Sequence, residues 1–136
     1  MITQKEIELP RLGRGYHLIS DFINDNITEF PQFGLLNLFL KHTSAALSLN
    51  ENADPSVRED FESFMNRLIP EDYSIYSHTS EGLDDMPAHI KSSFFGTSLT
   101  IPITNHKLNT GIWQGIYLCE FRKGIHQRNL VFTIYS

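Results

Sequence analysis

Three apolar runs decide the fold class: Ser98–Ile103 (SLTIPI), Ile112–Phe121 (IWQGIYLCEF) and Asn129–Tyr135 (NLVFTIY). All three read as strands. Just upstream, the sequence predicts a short helix from about Met86 to Phe95, with Asp84 and Asp85 at its positive end and Gly96 just beyond. Further back, Asp54–Pro55 is a helix start, a capping residue followed by proline at the first helical position. Val57, Phe61, Phe64, Met65 and Leu68 then form one apolar stripe, which Pro70 closes. Gly34–Leu40 (GLLNLFL) is nearly all apolar and reads as a strand covered on both faces. Ser20 reads as the N-cap of a helix carrying Asp21, Phe22, Ile23, Ile27 and Phe30, ended by Pro31. Ile2–Leu9 reads as a strand stopped by Pro10. Strands and helices mix without a βαβ rhythm. The expected fold is therefore α+β, one compact domain over residues 1–136, with a mostly antiparallel or mixed sheet and two to three helices.

Composition narrows the function classes. With 136 residues the chain suits one domain and is too short for an eight-fold α/β barrel. An apolar fraction of 40% argues against disorder as the main state. A net charge of −5 argues against a general phosphate-backbone binder, so no nucleic-acid partner is expected. Cys119 is the single cysteine and has no intrachain partner. Met1 is followed by charged residues rather than a signal-like apolar run, and no stretch suits a membrane helix. A cytoplasmic location is the resulting expectation.

Six histidines require weighing. His17, His106 and His126 lie in turn-like contexts and read as surface residues. His42 ends the Gly34–Leu40 strand at a polar His-Thr-Ser turn, where folds place functional groups. His89 borders the helix face of Met86, Ile90 and Phe94, and His78 stands in a polar loop ahead of Glu81 and Asp84. Taken singly, each reads as a hydrogen-bonded structural histidine. Together with Glu81, Asp84 and Asp85, the three also suit a metal or phosphate site, although no HxH or HxxxH pair occurs. Asn50–Asp54 (NENAD) is both a turn with a helix cap and a candidate anion site, where Asn50 and Asp54 flank a helix N-terminus. Alternation puts Gln114 and Glu120 on the otherwise apolar face of Ile112, Ile116 and Leu118, where polar groups need partners. Cys119 beside Glu120 makes a poor nucleophile. Ser44 near His42 lacks the GxSxG context of a serine hydrolase.

The run from Ser98-Leu-Thr-Ile-Pro-Ile through Gly111-Ile-Trp-Gln-Gly-Ile resembles the signature of the YjbQ family, also called the secondary thiamine-phosphate synthase family. His42-Thr-Ser-Ala-Ala-Leu, Asn50-Glu-Asn-Ala-Asp-Pro, Glu81-Gly-Leu-Asp-Asp-Met-Pro-Ala-His-Ile-Lys and Gly96-Thr-Ser agree with it in order and spacing. Ile112 departs from it, standing where the family usually has threonine. The resemblance implies a homotrimer with a polar pocket at His42, Asn50, Asp54, His78, Glu81, His89, Gln114 and Glu120. It also implies a weak thiamine-phosphate synthase activity, joining a pyrimidine pyrophosphate to a thiazole phosphate. The roles expected are metal binding for His42, His78 and His89, and catalysis for Glu81, Gln114 and Glu120. Asn50, Asp54, Lys91, Arg122 and Arg128 are expected to bind substrate. The suspected cofactor is a divalent metal, zinc or magnesium, which departing pyrophosphate needs. Alternatives from other classes are a metal-dependent hydrolase of a small phosphorylated metabolite and a non-catalytic trimer that binds a metabolite or metal.

Overall fold

The three C-terminal strands form, but they divide between two sheets. The computed structural model describes residues 1–136. In chain order the elements are β1 (Ile2–Glu8), β2 (Gly15–Leu18), α1 (Ser20–Asn26), β3 (Phe33–Leu40), β4 (Ala45–Glu51) and α2 (Pro55–Leu68). They continue with α3 (Asp85–Phe95), β5 (Ser98–Thr104), β6 (Lys107–Leu108), β7 (Gln114–Glu120) and β8 (Asn129–Tyr135). One antiparallel sheet has the order β1-β8-β3-β5-β6 and the other β2-β7-β4.

The main core lies between the sheets. Leu36, Leu38 and Leu40 of β3 meet Ile116 and Leu118 of β7, with Ile23 of α1 in the same cluster. The opposite face of β7 carries Tyr117 and Cys119, which pack with Tyr16 and with Ala88 of α3. Partly buried Phe61 of α2 and Phe95 of α3 complete that second layer. Strand β7 is thus buried on both faces, with polar Gln114 and Glu120 as its first and last residues.

Several expectations need correction. Strand β3 is covered on one face only: Phe33, Leu35 and Phe39 are exposed on the outer side of the five-stranded sheet. The α2 stripe is likewise partial, since Met65 is buried but Phe64 and Leu68 are exposed. Asp54 does cap α2, its Oδ1 accepting from the Ser56 N–H at 2.9 Å. Ser20 does not cap α1: its hydroxyl accepts the Ile116 N–H at 2.8 Å and ties the helix to β7. Strands β2, β4 and β6 carry no strong apolar alternation, and the sequence reading does not predict them. No helix is long and apolar enough to cross a membrane.

Candidate functional site

Helix α3 organises the site. Asp85 and His89 stand four residues apart on it, so they share a face. His78 reaches the same point from the preceding loop. Its Nε2 donates to Asp85 Oδ2 at 2.6 Å, and His89 Nε2 lies 3.1 Å from that same oxygen. The two imidazole centroids are 5.4 Å apart. One ligand atom from each of His78, Asp85 and His89 lies within 4.8 Å of the others.

The tautomer of His89 gives this cluster its chemical meaning. Its Nδ1 donates to the Thr43 carbonyl at 2.7 Å, so a neutral ring turns a lone pair toward Asp85. Two electron-rich atoms facing each other call for positive charge, either a second proton on His89 or a metal cation. Anchoring the far ring nitrogen on a carbonyl is also how proteins orient metal-ligating histidines. The donor set, two imidazole nitrogens and one carboxylate, fits a divalent cation with positions left for water or substrate.

Arg122 fixes the carboxylates. Its Nη1 donates to Asp85 Oδ1 at 2.7 Å, its Nε to Asp84 Oδ2 at 2.9 Å and its Nη2 to the Glu81 carbonyl at 3.1 Å. Burial pushes the Asp85 carboxyl up. The hydrogen bond from His78, with the charges of His89 and Arg122, outweighs burial and holds it below the ordinary carboxylate value. Asp84 is depressed in the same way: burial opposes, while the Lys123 N–H and Arg122 prevail. Glu81 Oε2 lies 3.7 Å from His78 Nε2, and its side chain is exposed.

The remaining candidates separate from this cluster. His42 Nε2 accepts the Asn129 N–H at 2.7 Å, so its lone pair is spent on β8 and it is not among the three clustered ligands. Burial first, then the Arg128 charge, lowers its pKa. Glu120 and Arg128 form a fork of two 2.6 Å hydrogen bonds at 1% and 7% exposure, with Arg128 also donating to Ser44 Oγ at 3.0 Å. That pair ties β7 to β8 and is sealed from a substrate. Lys91 is 2% exposed and donates to Asn66 Oδ1 at 2.8 Å, between α3 and α2. Asn50 Oδ1 accepts from the Glu51 N–H, and Asp54 is occupied as a cap. Gln114 lies at the far end of β7, its Oε1 accepting the Gly111 N–H at 2.8 Å. The member that the sequence reading does not single out as a ligand is Asp85, which it treats chiefly as a helix-terminus charge. Its i, i+4 relation to His89 is the signal that finds it.

Two antiparallel sheets backed by two helices, with a histidine–aspartate cluster at the mouth of α3, define a small α+β protein with a metal-compatible centre. The chain belongs to the YjbQ/UPF0047 family: the family described as "UPF0047 protein YjbQ-like" matches residues 5–136. It is 47% identical over 136 residues to the UPF0047 protein YjbQ of Escherichia coli O157:H7, covering 98% of each chain. A conserved hypothetical protein from Thermus thermophilus superposes with a TM-score of 0.82 at 30% identity, over 93% of this chain and 97% of that one. A YjbQ/UPF0047 family structure from Clostridium acetobutylicum superposes at 0.79 and 30% identity, over 96% and 99%.

Proposed function

We propose that the protein is a cytoplasmic, homotrimeric, divalent-metal-dependent enzyme acting on a small phosphorylated metabolite, with hydrolysis as the reaction its donor set suits best. The observation that carries this is the convergence of His78, Asp85 and His89, with His89 oriented by Thr43. A bound divalent cation would polarise a phosphoryl oxygen and activate water. Around it, Arg122 balances one of the two charges of Asp84 and Asp85 and keeps Asp85 aimed at the histidines. Without a cation the cluster is anionic and repels phosphate; a divalent cation reverses that sign. Exposed Glu81, its Oε2 3.7 Å from His78 Nε2, would take the proton from water.

A second reading is the synthase reaction that the resemblance implies. Tyr73 and Tyr76 favour it. They stack edge to face at 5.5 Å and line a cavity of about 260 Å³ together with His78, a wall suited to a heterocyclic phosphate. The trimer is supported by the outer sheet face, where Ile2, Tyr135 and Leu35 stand side by side across β1, β8 and β3, all exposed. The deciding experiment measures bound metal in purified protein, then follows two reactions with and without chelator. One is phosphate release from a phosphate monoester; the other is thiamine phosphate formation from the pyrimidine pyrophosphate and thiazole phosphate. Metal-dependent phosphate release supports hydrolysis, and metal-dependent coupling supports the synthase. Turnover indifferent to chelator, or no metal uptake from added zinc or magnesium, overturns the metal-dependent proposal. Light scattering at a monomer mass overturns the trimer.

A further inference from the structure

We propose that the cleft at the Gln114 end of β7 is a second ligand site, for a small organic anion that carries an amide or nitrogen heterocycle. The cleft encloses about 340 Å³, the lower end of the range for metabolite pockets. It shares no lining residue with the cavity beside His78. Gln114 and Glu120 bound β7, and six residue-to-residue steps of strand separate them by about 20 Å. The cleft and the histidine cluster are therefore at opposite ends of the strand.

Charge and hydrogen-bond orientation specify the ligand class. No carboxylate lines the cleft, and Lys107 is its one permanent charge, in a chain whose net charge is −5. Beside Lys107, His106 donates through Nδ1 to the Phe30 carbonyl at 2.8 Å, which leaves Nε2 of the neutral ring as an acceptor. Asn105 and His106 form the two-residue turn between β5 and β6 with φ of 51° and 63°, a conformation that glycine would take more cheaply. The fold thus holds an imidazole at the cleft mouth in a backbone conformation that L residues seldom adopt. At the other end, Gln114 Oε1 is taken by the Gly111 N–H, so its NH₂ remains as a donor. Asn52 Nδ2 faces the Ile112 and Gln114 carbonyls at 3.2 and 3.4 Å, so its Oδ1 remains as an acceptor. A donor next to an acceptor matches the edge of an amide or a nitrogen heterocycle. Phe30, Leu108 and Ile116 supply apolar lining. Gly115 lets Asn52 close on the strand: a Cβ there would stand 2.9 Å from Asn52 Cβ and 2.5 Å from Leu18 Cδ2.

Trp113, the single tryptophan, precedes Gln114 and reports on the cleft by fluorescence. Chelator-treated protein is titrated with N-acetylglycine and with cytidine 5′-monophosphate, and with N-acetylglycinamide and cytidine as their uncharged counterparts. Backbone amide NMR of Gly111 and Gln114 provides the second readout. Saturable binding of a charged probe tighter than about 1 mM is expected, with its uncharged counterpart at least about tenfold weaker. The charged probe that saturates identifies the anion as carboxylate or phosphate. Lys107→Met and Gln114→Leu should each weaken it about tenfold, the scale of one hydrogen bond to a charged group. His78→Ala should leave it unchanged, which separates this site from the metal cluster. Lys107 is exposed on a two-residue strand, so its variant tests the proposal even where Gln114→Leu misfolds. The proposal is overturned if neither charged probe saturates, if Lys107→Met has no effect, or if His78→Ala abolishes binding.

Discussion

Replacing His89 with glutamine isolates the metal hypothesis from the fold. The ring makes two contacts, Nδ1 to the Thr43 carbonyl and Nε2 to Asp85 Oδ2, and a glutamine amide can replace the Nδ1 donor at similar volume. The folding cost is therefore about 1 kcal/mol, the net worth of one hydrogen bond. Metal binding responds on another scale. Zinc at a hundred times its dissociation constant stabilises the folded state by about 2.7 kcal/mol. For a chain of 136 residues that raises Tm by about 9 °C. Removing one of three ligands weakens binding by at least about 100-fold. At the same zinc concentration the variant then gains only about 1 °C. The assay is differential scanning calorimetry with and without zinc, backed by metal content after dialysis. His106→Gln is the control, since that imidazole touches only the Phe30 carbonyl and should keep the wild-type shift. A zinc shift in His89→Gln equal to wild type would remove His89 from the ligand set. Loss of folding without zinc, checked by circular dichroism, would make the imidazole structural.

Three further perturbations probe the surroundings. Arg122→Lys keeps a charge but loses the fork that spans Asp84 and Asp85; zinc affinity measured by competition with a chromophoric chelator should fall about 10- to 100-fold. His42 has a pKa below its ordinary 6.5 in the folded chain, so the unfolded chain takes up the proton first as pH falls. Its contribution to stability is complete above about 6.5 and is lost as pH drops through the folded value. The urea midpoint should accordingly fall between about pH 7 and pH 5, and His42→Asn should flatten that slope; an unchanged slope would refute the assignment. Gly34→Ala would place a Cβ 2.3 Å from the Tyr135 carbonyl oxygen, which splays β3 from β8 and should cost about 3 kcal/mol by urea denaturation.

The legible parts of the fold are those where the side chains themselves declare the environment. Asp54–Pro55 announces α2, because cap and proline act locally through one hydrogen bond and one fixed φ. Gly96 closes α3 at a φ of 90°, which an L side chain rarely adopts. Strand β4 is hidden for the opposite reason. Ala45 and Ala46 are fully buried, and the Ser92 hydroxyl of α3 donates to the Ala45 carbonyl at 2.8 Å. A helix that lies this close demands small residues, and these carry almost no hydrophobic signal. Strand β3 misleads in turn, because Gly34–Leu40 looks doubly buried while Phe33, Leu35 and Phe39 face outward. Apolar residues on both faces say that both are to be covered, without saying whether by this chain or by a second copy.

The candidate site divides along the same physical line. His78 and His89 stand out in sequence because each lies within a few positions of the carboxylates Glu81, Asp84 and Asp85. Which carboxylate joins them cannot be read by counting charges, since Glu81, Asp84, Asp85 and Glu120 are equivalent in composition. Geometry separates them: Glu120 leaves β7 inward and is neutralised by Arg128, whereas Asp85 sits at the mouth of α3 facing both histidines. Arg122 and Arg128 divide likewise, six positions apart. Arg122 lies two residues past the end of β7 and reaches the α3 carboxylates, while Arg128 lies one residue before β8 and turns into the gap between strands. His42 shows the limit most directly. A strand-end histidine is either a ligand or a strut, and the choice rests on one backbone N–H, that of Asn129, 87 residues away in sequence. That N–H takes the lone pair a metal would need, so His42 serves the cluster only through its neighbour Thr43, whose carbonyl orients His89.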